Sequence, residues 1–376
     1  MNTLSLNPVR LIASPGVWIE GEAVRQLHAA ARLAGVSQAV GFPDLHPGKC
    51  GPVGAAIVTE DVIYPHLIGG DIGCGMALWK TDLLRRKAKL DRWAALRFDL
   101  EHPWEGNLGG WLQDNQLPSS EFDASMGTIG GGNHFAELQA IERVRDAAAF
   151  AALGLERDNL VALVHSGSRG YGDSILWNYA AEHGSTGAAP ESGAGADYLR
   201  AHNTALRWAR ANRELIVRRF LETLGGEGEQ IWDGCHNGLT PVMANGARGW
   251  IHRKGAAPAE AGPLVIAGSR GALSYLVRPT GDGTSHAWSV AHGAGRKWSR
   301  SESRVRARER YQVSDLTQTA LGSRVICEPR DLLYEEAPMS YKSIESVIEA
   351  LATEGLVEVI ATLRPLLTYK TRALRR

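Results

Sequence analysis

The chain has 376 residues, and 44% of them are hydrophobic, which is enough for a buried core in one large domain or two ordinary ones. Its 41 basic and 41 acidic residues balance, which excludes a global pull toward nucleic acid or membrane, so any polyanion site must be local. Four cysteines make neither a disulfide scaffold nor a paired zinc knuckle. Because the N-terminus lacks a signal-peptide pattern and no apolar run approaches ~18 residues, we expect a cytoplasmic protein without membrane segments.

Residue spacing predicts short strands and a few longer helices. The strands cluster instead of alternating regularly with helices, which favours an α+β fold. Neither a repeat nor an interdomain linker is visible, so we predict one domain over 1–376. In chain order the predicted elements are a helix over 25–34, strands over 38–42, 53–58 and 62–68, a helix over 138–153, a strand over 160–165, a loop over 184–195, a helix over 198–224, strands over 250–254, 264–267 and 274–277, and a helix over 343–366 interrupted near Gly355 and Pro365.

The most informative motif is the turn over 69–76, which reads GGDIGCGM. Its glycines let the backbone bend sharply, so Asp71 and Cys74 can point an oxygen and a sulfur at the same place. Such a mixed pair suits a divalent transition metal better than calcium or magnesium. Each residue alone also has an ordinary explanation, as a turn-capping acid and a buried small hydrophobe. Jointly they predict a metal site.

Five histidines lie in or beside glycine-bearing turns where predicted strands end, and such loops often carry ligands and catalytic groups. Imidazole and thiolate together favour zinc, manganese, iron or cobalt, and one thiolate sulfur can bridge two ions. Two ions suit phosphoryl chemistry because they hold both the attacking and the leaving oxygen. The five are His46, His134, His165, His236 and His292.

Two further turns and one basic run offer phosphate ligands. The turns over 166–170 and 268–271 combine serine hydroxyls, open backbone amides and an arginine, although neither is a Walker loop. The run from Arg296 to Arg310 is strongly basic. It indicates either an ordinary solvated helix face or a surface for a phosphate backbone.

His292 is the candidate nucleophile. A neutral imidazole nitrogen can attack a phosphoryl group and form a phosphoramidate. Gly293, Ala294 and Gly295 leave room beside it for a bulky nucleotide. The spacing equally allows His292 to be another metal ligand.

Seven motifs, in order along 42–370, resemble those of the RtcB family of RNA-splicing ligases. They read PDLHPG (43–48), DIGCGM (71–76), GNHF (132–135), HSGSRG (165–170), HN (236–237), RKGA (253–256) and HGAGR (292–296). The resemblance implies mixed and antiparallel sheets that form a central sandwich with flanking helices. It also implies an RNA ligase that uses GTP and two Mn²⁺ ions.

The reaction implied by the resemblance joins RNA ends carrying a 2′,3′-cyclic phosphate or a 3′-phosphate to 5′-hydroxyl ends, in RNA repair or tRNA splicing. A histidine takes GMP from GTP and passes it to the RNA 3′-phosphate, and the 5′-hydroxyl then displaces it. By motif position His292 is that histidine.

The metal ligands also follow from motif position. Cys74 would bridge the two ions, with Asp71 and His134 completing one site and His165 and His236 the other.

The resemblance assigns two residues to RNA binding and a larger set to guanylate binding. Arg169 would hold an RNA phosphate, and Asp44 matches an acid kept near the metals. Among the guanylate contacts, Tyr341 would stack on the base and Lys370 would read its edge. The full guanylate set is Asn133, Glu137, Ser269, Ser274, Gly293, Ala294, Gly295, Tyr341 and Lys370.

The chain departs from the family pattern at a few places. Cys235 precedes His236 where many members have a second histidine, and Ala267 and Arg270 replace a usual proline and methionine. The chain also continues past Lys370. Its compact form is similar to a bacterial branch encoded beside a release-factor-like protein. This likeness implies an activating or operon partner, and damaged ribosomal RNA instead of tRNA as substrate.

Two other functions use the same residues. A two-metal phosphoesterase acting on terminal or cyclic RNA phosphates would need no nucleotide and would keep its hydrolysis in a His292→Ala variant. A non-catalytic RNA-binding paralogue would bind RNA after chelation and join no ends, although the intact ligand set argues against it.

Overall fold

The computed structural model describes residues 9–244, 246–260 and 262–372 of the chain. The strands in this part are β1 (Val9–Leu11), β2 (Val36–His46), β3 (Val53–Glu60), β4 (Gly75–Leu84), β5 (Phe135–Val144), β6 (Asn159–Ser166), β7 (Gly228–Cys235), β8 (Asn237–Ala244), β9 (Ala247–Lys254), β10 (Ala256–Pro258), β11 (Leu264–Ile266), β12 (Ser274–Pro279), β13 (Ser289–Ala291), β14 (Arg324–Cys327) and β15 (Val357–Thr371). The α-helices are α1 (Gly21–Ala31), α2 (Leu90–Ala94), α3 (Leu108–Asp114), α4 (Ala147–Ala152), α5 (Gly170–His183), α6 (Gly193–Leu224), α7 (Arg300–Arg310), α8 (Val313–Thr317), α9 (Arg330–Glu335) and α10 (Ile344–Thr353).

These strands form two large sheets. The five-stranded sheet has the order β1-β2-β3-β9-β8. The eight-stranded sheet runs β11-β12-β15-β5-β6-β4-β7, and β14 pairs with β15 outside this path. Pairing is antiparallel except between β1 and β2 and between β14 and β15, and β10 pairs with β13 separately. The sheets are therefore mixed and mainly antiparallel.

The two sheets pack face to face over a shared hydrophobic core. Phe42 of β2 and Leu163 of β6 are fully buried in this core. On the outer face of the five-stranded sheet, α1 packs through Leu27. On the outer face of the eight-stranded sheet, the long helix α6 packs Phe220 into a cluster with Val164. The layers are thus helix, sheet, sheet and helix, which confirms the predicted α+β sandwich with flanking helices.

Many of the predicted local elements are confirmed. Helix α6 begins earlier than predicted, at Gly193, because the Ser192 side chain accepts a hydrogen bond from the Gly195 amide at 3.1 Å and caps its first turn. The predicted loop over 184–195 is therefore shorter. The confirmed ranges include the helices over 25–34 and 198–224 and the strands over 38–42, 53–58, 160–165 and 250–254.

Three predicted elements are wrong, two of them because tertiary pairing overrides helical propensity. The range 138–153 divides between strand β5 and the short helix α4. The range 343–366 divides between helix α10 and strand β15, whose Pro365 is accommodated at a shift in the pairing register with β5. The predicted strand over 62–68 contains a 3₁₀ helix, Pro65–Leu67, that starts on its proline.

Cysteines Cys50, Cys74, Cys235 and Cys327 are free thiols. Among the described residues, the helices are too short or too polar to span a bilayer.

Candidate active site

The predicted metal ligands lie at the ends of four adjacent strands of the eight-stranded sheet. Asp71 and Cys74 precede β4, His134 precedes β5, His165 is near the end of β6, and His236 lies between β7 and β8. The order β5-β6-β4-β7 makes these strands neighbours, and their pairing aligns the ends that carry the ligands. Ligands that are far apart in sequence therefore meet at one edge of the sheet.

The five side chains form two groups that share the Cys74 sulfur. The Cys74 Sγ lies 3.2 Å from His165 Nε2, which in turn lies 3.2 Å from His236 Nε2. On the other side, Cys74 Sγ lies 3.5 Å from His134 Nε2, and that nitrogen lies 3.1 Å from Asp71 Oδ2. Within each group the ligand atoms lie within 4.8 Å of one another.

The donors fit two divalent metal ions. Burial, reinforced by neighbouring cations, holds the pKa of His165 and of His236 well below the ordinary value, so both rings are neutral, as metal ligands must be. His134 Nδ1 is 3.1 Å from the Ile129 carbonyl oxygen, which leaves its Nε2 lone pair free for coordination. Burial and the Asp71 charge raise the pKa of Cys74, and a bound cation reverses that effect and stabilises the thiolate.

Arg213 of α6 ties the ligand-bearing segments together, and sequence reasoning missed it. Its fully buried guanidinium donates to the Gly73 carbonyl at 2.7 Å and to the Ser166 carbonyl at 2.9 Å. It also pairs with Asp233 at 2.7 Å and contacts Cys235 Sγ at 3.3 Å. Each of these partners adjoins a metal ligand or lies on its strand. An arginine in the middle of a long helix gives no sequence signal for such a role.

His292 follows β13 and faces the metal ligands. Its ring centroid lies 4.5 Å from that of His236. His292 belongs to neither of the two ligand groups found among the described residues. The predicted site histidine His46 also lies outside them, and burial lowers its pKa to about 4. His46 lines the neighbouring cavity instead.

Asp44 orients His292. Its Oδ2 lies 2.7 Å from His292 Nδ1 and also accepts the His292 backbone N–H at 3.2 Å. Lys342 holds the segment around Asp44 by donating to the Pro43 carbonyl at 2.9 Å and the Leu45 carbonyl at 2.7 Å. The Asp44 side chain is fully buried. The structure therefore places this acid against the histidine.

A cavity of about 260 Å³ opens beside His292 and reaches His165. Gly295 has φ +69°, and a Cβ there would lie 2.2 Å from the Asp44 carbonyl oxygen, so the glycine is needed where the cavity wall meets the Asp44 segment. Most of the predicted guanylate contacts line this cavity, namely Asn133, Glu137, Ser269, Gly293, Ala294, Gly295, Tyr341 and Lys370. Ser274 lies outside the lining and supports it, because its hydroxyl accepts the Gly268 amide at 3.2 Å.

The cavity wall around Tyr341 is organised by Glu336, which sequence reasoning also missed. The buried Glu336 carboxylate accepts the Tyr341 hydroxyl and pairs with Arg296 at 2.9 Å. Arg296 in turn lies 5.2 Å over the Tyr341 ring, and this ring lines the cavity. Lys370 Nζ is 3.9 Å from Glu336, and burial lowers the lysine pKa to about 8 despite that carboxylate.

Arg169 lies near the metal ligands but outside the cavity lining. It has φ +58° and its Nε donates to Thr128 Oγ1 at 3.3 Å. A Cβ at Gly130 would lie 1.7 Å from its guanidinium, so only glycine permits this position. Burial by itself raises the pKa of the Asp71 carboxyl. The charges of His134 and Arg169, together with hydrogen bonds, outweigh burial, so that the pKa is lowered. The guanidinium therefore lies close to Asp71 and His134, two of the predicted metal ligands.

The chain is similar to proteins of one family over most of its length. The family described as "tRNA-splicing ligase RtcB" matches residues 26–113 and 105–371. The chain is 45% identical over 364 residues to "RNA-splicing ligase RtcB2" of Escherichia coli, covering 96% of this chain and 94% of that protein. It is 29% identical to "RNA-splicing ligase RtcB1" of Escherichia coli, with 94% and 95% covered. It is 29% identical to "RNA-splicing ligase RtcB" of Mycobacterium tuberculosis, with 91% and 99% covered.

These matches extend over nearly the whole chain, and the relatives are named as ligases of RNA. The chain therefore belongs to the RtcB family of RNA-splicing ligases.

Proposed function

We propose that this ligase joins RNA ends carrying a 3′-phosphate or 2′,3′-cyclic phosphate to 5′-hydroxyl ends, in a GTP- and Mn²⁺-dependent reaction through a guanylylated His292. The observation that carries the proposal is the position of His292 between the shared-cysteine ligand groups and the cavity, with Asp44 fixed on its Nδ1. Histidine tethered in this way presents Nε2 as a nucleophile.

The two proposed metal sites correspond to the two groups of ligands that share the Cys74 sulfur. Asp71, Cys74 and His134 would hold one Mn²⁺, and Cys74, His165 and His236 the other. When bound, the two ions supply positive charge that offsets the charge developing on phosphate oxygens during transfer.

The proposed chemistry runs through three displacements. His292 Nε2 attacks the α-phosphorus of GTP, an N–P bond forms, and the bond to the β-phosphate oxygen breaks to release pyrophosphate. An oxygen of the RNA 3′-phosphate then attacks the same phosphorus, and the electron pair of the N–P bond returns to Nε2. Finally the 5′-hydroxyl oxygen attacks the phosphorus of the RNA 3′-phosphate and gives its proton to solvent, and the bond from that phosphorus to the oxygen of GMP breaks, so that GMP leaves. A cyclic end must first be opened by water, which frees the 3′-phosphate oxygens.

Asp44 has a defined part in the first displacement. Its carboxylate accepts the Nδ1–H of His292, which keeps the Nε2 lone pair unprotonated and aimed into the cavity. It also stabilises the positive charge that the ring acquires when Nε2 bonds to phosphorus. We therefore assign Asp44 to positioning the nucleophile.

The cavity would hold the guanylate with its base at the Tyr341 wall. Arg296 lies over the Tyr341 ring, and the ring lines the cavity, where the base would stack on it. Glu137 and Lys370 lie on neighbouring strands β5 and β15 and can contact the base edge. Asn133, Ser269 and the turn over 293–295 line the remainder of the cavity, toward His292.

RNA would approach over the N-terminal part of α7 and past Arg169. Arg300, the first residue of α7, lines the cavity mouth. One and a half turns further along, the Arg306 guanidinium lies 4.7 Å over the Trp298 ring, and Lys297 lies 6.0 Å from the same ring. Cations layered with an aromatic ring suit the backbone and bases of single-stranded RNA.

We also propose a cellular setting for the reaction. Free thiols at all four cysteines agree with a cytoplasmic location. Damaged ribosomal RNA as substrate, and a release-factor-like partner, rest on the likeness to the compact bacterial branch.

The test is labelling with GTP that carries a radioactive α-phosphate, in the presence of Mn²⁺. The wild type should form a covalent adduct that is stable to alkali and labile to acid, as a phosphoramidate is, and His292→Ala should form none. His28→Ala, at an exposed position on α1, is the matched histidine control and should label like the wild type. A folded, metal-loaded wild type that forms no adduct would refute the proposal. Nucleotide-independent hydrolysis of RNA terminal phosphates that persists in His292→Ala would identify a phosphoesterase.

A further inference from the structure

Arg270 is a buried cation whose hydrogen-bonding capacity is mostly unused. It lies in the loop over 268–271, lines the cavity, and is only 6% exposed. Its side chain makes one hydrogen bond, from Nη2 to the Leu333 carbonyl at 2.7 Å, and its Nε and Nη1 atoms have no partner in the described part of the chain. Burying a guanidinium with unpaired donors is unfavourable, so these donors point to a ligand that completes them.

The loop places Arg270 at the end of the cavity away from the nucleophile. Ala267, at the start of the loop, pairs with Gly293 next to His292. Three residues later, Arg270 is anchored on α9 through Leu333. Glu336, Tyr341 and Glu137 act electrostatically on its guanidinium, and these residues form the wall proposed for the base. Arg270 thus lies on the side of the cavity that we propose for the base.

The chemistry of the Arg270 N–H donors further restricts the class of ligand that they would bind. Arginine stays protonated and offers five N–H groups. After one Nη2–H bonds to Leu333, the second Nη2–H and its neighbour on Nε or Nη1 remain free to act as a planar fork. A fork of this kind matches two acceptors side by side on a planar ring. Guanine offers such a pair in O6 and N7, whereas adenine replaces the O6 acceptor with an amino donor.

We propose that Arg270 reads the guanine base of the nucleotide by donating to O6 and N7, and so selects GTP over ATP. The inference rests on the proposed function, and it adds a specificity contact at a position where other family members commonly carry methionine. Lys370 and Glu137 would take the remaining edge of the same base.

The test compares nucleotides that differ at single acceptor atoms. GMP and 7-deaza-GMP, which lacks the N7 acceptor, are titrated into the metal-loaded full chain and binding is measured by calorimetry. Wild type should bind 7-deaza-GMP about 5- to 100-fold more weakly than GMP, the range for one bidentate arginine–guanine contact. Equal binding of both by the wild type overturns the proposal without any variant.

Variants then locate the effect. Arg270→Met removes the fork with little change in volume, and it should bind GMP and 7-deaza-GMP equally and discriminate less against AMP. Arg330→Met, at an exposed position on α9, is the matched control and should keep the wild-type preference. Equal loss of affinity for every nucleotide in Arg270→Met would indicate a phosphate contact and would overturn base recognition.

Failure of this inference can be told apart from failure of the proposed function. If the wild type forms the His292 adduct from GTP but treats 7-deaza-GMP like GMP, only the role of Arg270 is wrong. If no adduct forms at all, the proposed function fails first.

Discussion

Cys74 is the single residue on which both ligand groups depend. Its sulfur contacts His165 at 3.2 Å on one side and His134 at 3.5 Å on the other, and Asp71 reaches only the second group. A shared thiolate and an unshared carboxylate should therefore behave differently when replaced.

We predict that Cys74→Ser weakens both Mn²⁺ sites together and abolishes guanylylation, since a serine hydroxyl is not ionised at neutral pH. The loss should exceed the roughly 10- to 100-fold typical of removing a partner that merely supports a ligand. Asp71→Asn should weaken mainly one site. Titration with Mn²⁺, followed by the electron paramagnetic resonance of the free ion, gives the number and affinity of sites. If Cys74→Ser weakened the two Mn²⁺ sites independently of each other, the result would count against a bridging sulfur.

At His292, we predict that Asp44→Asn slows guanylylation about 10²- to 10⁴-fold while the KM for GTP changes little. An asparagine amide can donate to Nδ1, which would move the ring proton to Nε2 and block the attack. Single-turnover labelling with radioactive GTP measures the rate, and Mn²⁺ content checks that the site is intact. An unchanged rate would show that Asp44 does not set the tautomer.

At the scale of the element, the arginines of helix α7 fall into two sets. Arg304 and Arg308 pair with Asp331 at 3.0 and 2.5 Å, as in an ordinary solvated ion-pair network. Arg300 and Arg306 form no ion pair within the described residues, and Arg306 layers on Trp298 instead. The basic run therefore contains both ion-paired and unpaired arginines among the described residues, and Arg300 of the unpaired set lines the cavity.

We predict that Trp298→Ala weakens binding of an unstructured RNA of about 12 nucleotides with a 3′-phosphate by roughly tenfold, the scale of one stacked base. Arg306→Gln should lower the slope of log affinity against log salt by about 0.7, the value for one single-strand phosphate contact. Fluorescence anisotropy at several salt concentrations measures both. Arg308→Gln removes the same charge from an ion-paired position and is the control. If it weakens RNA as much as Arg306→Gln, the effect is general charge and not a defined path.

The pairing of strand β5 with strand β15 helps to form the cavity proposed for the nucleotide. Glu137 of β5 pairs directly with Thr368 of β15, which lies two residues before Lys370. This strand pairing therefore brings Glu137 and Lys370 to the same cavity. Both ranges look helical in part from sequence. Strands β5 and β15, which were not predicted from sequence, are therefore the ones that bring Glu137 and Lys370 together.

For the whole molecule, one core lies between the two sheets and includes residues from both. We accordingly predict that the chain unfolds as one domain in a single cooperative transition. Bound Mn²⁺ at about 100 times its Kd should raise the Tm by roughly 3 °C per site, and a chelator should reverse this. Scanning calorimetry with and without chelator measures both effects. Two resolved transitions in the metal-free protein would instead indicate two domains.

Sequence by itself identified the candidate metal ligands and the candidate nucleophile His292, because short glycine-rich motifs carry these residues together with the backbone freedom they need. The candidate guanylate contacts followed only from the resemblance to the family. It also determined the strands and helices whose burial pattern is local, such as β6 and α6. Arg270 was visible in sequence as the arginine of a candidate phosphate-binding turn and as a departure from the family pattern.

Only the tertiary structure decided which residues act on these motifs from elsewhere in the chain. Arg213, Glu336 and Lys342 sit in unremarkable sequence, and each gains its role from carbonyls or charges brought close by folding. The same holds for β5 and β15, because a strand buried on both faces lacks the alternation that marks strands in sequence. The contact of Asp44 with His292 spans 248 positions and follows from packing between the sheets, which no local pattern encodes.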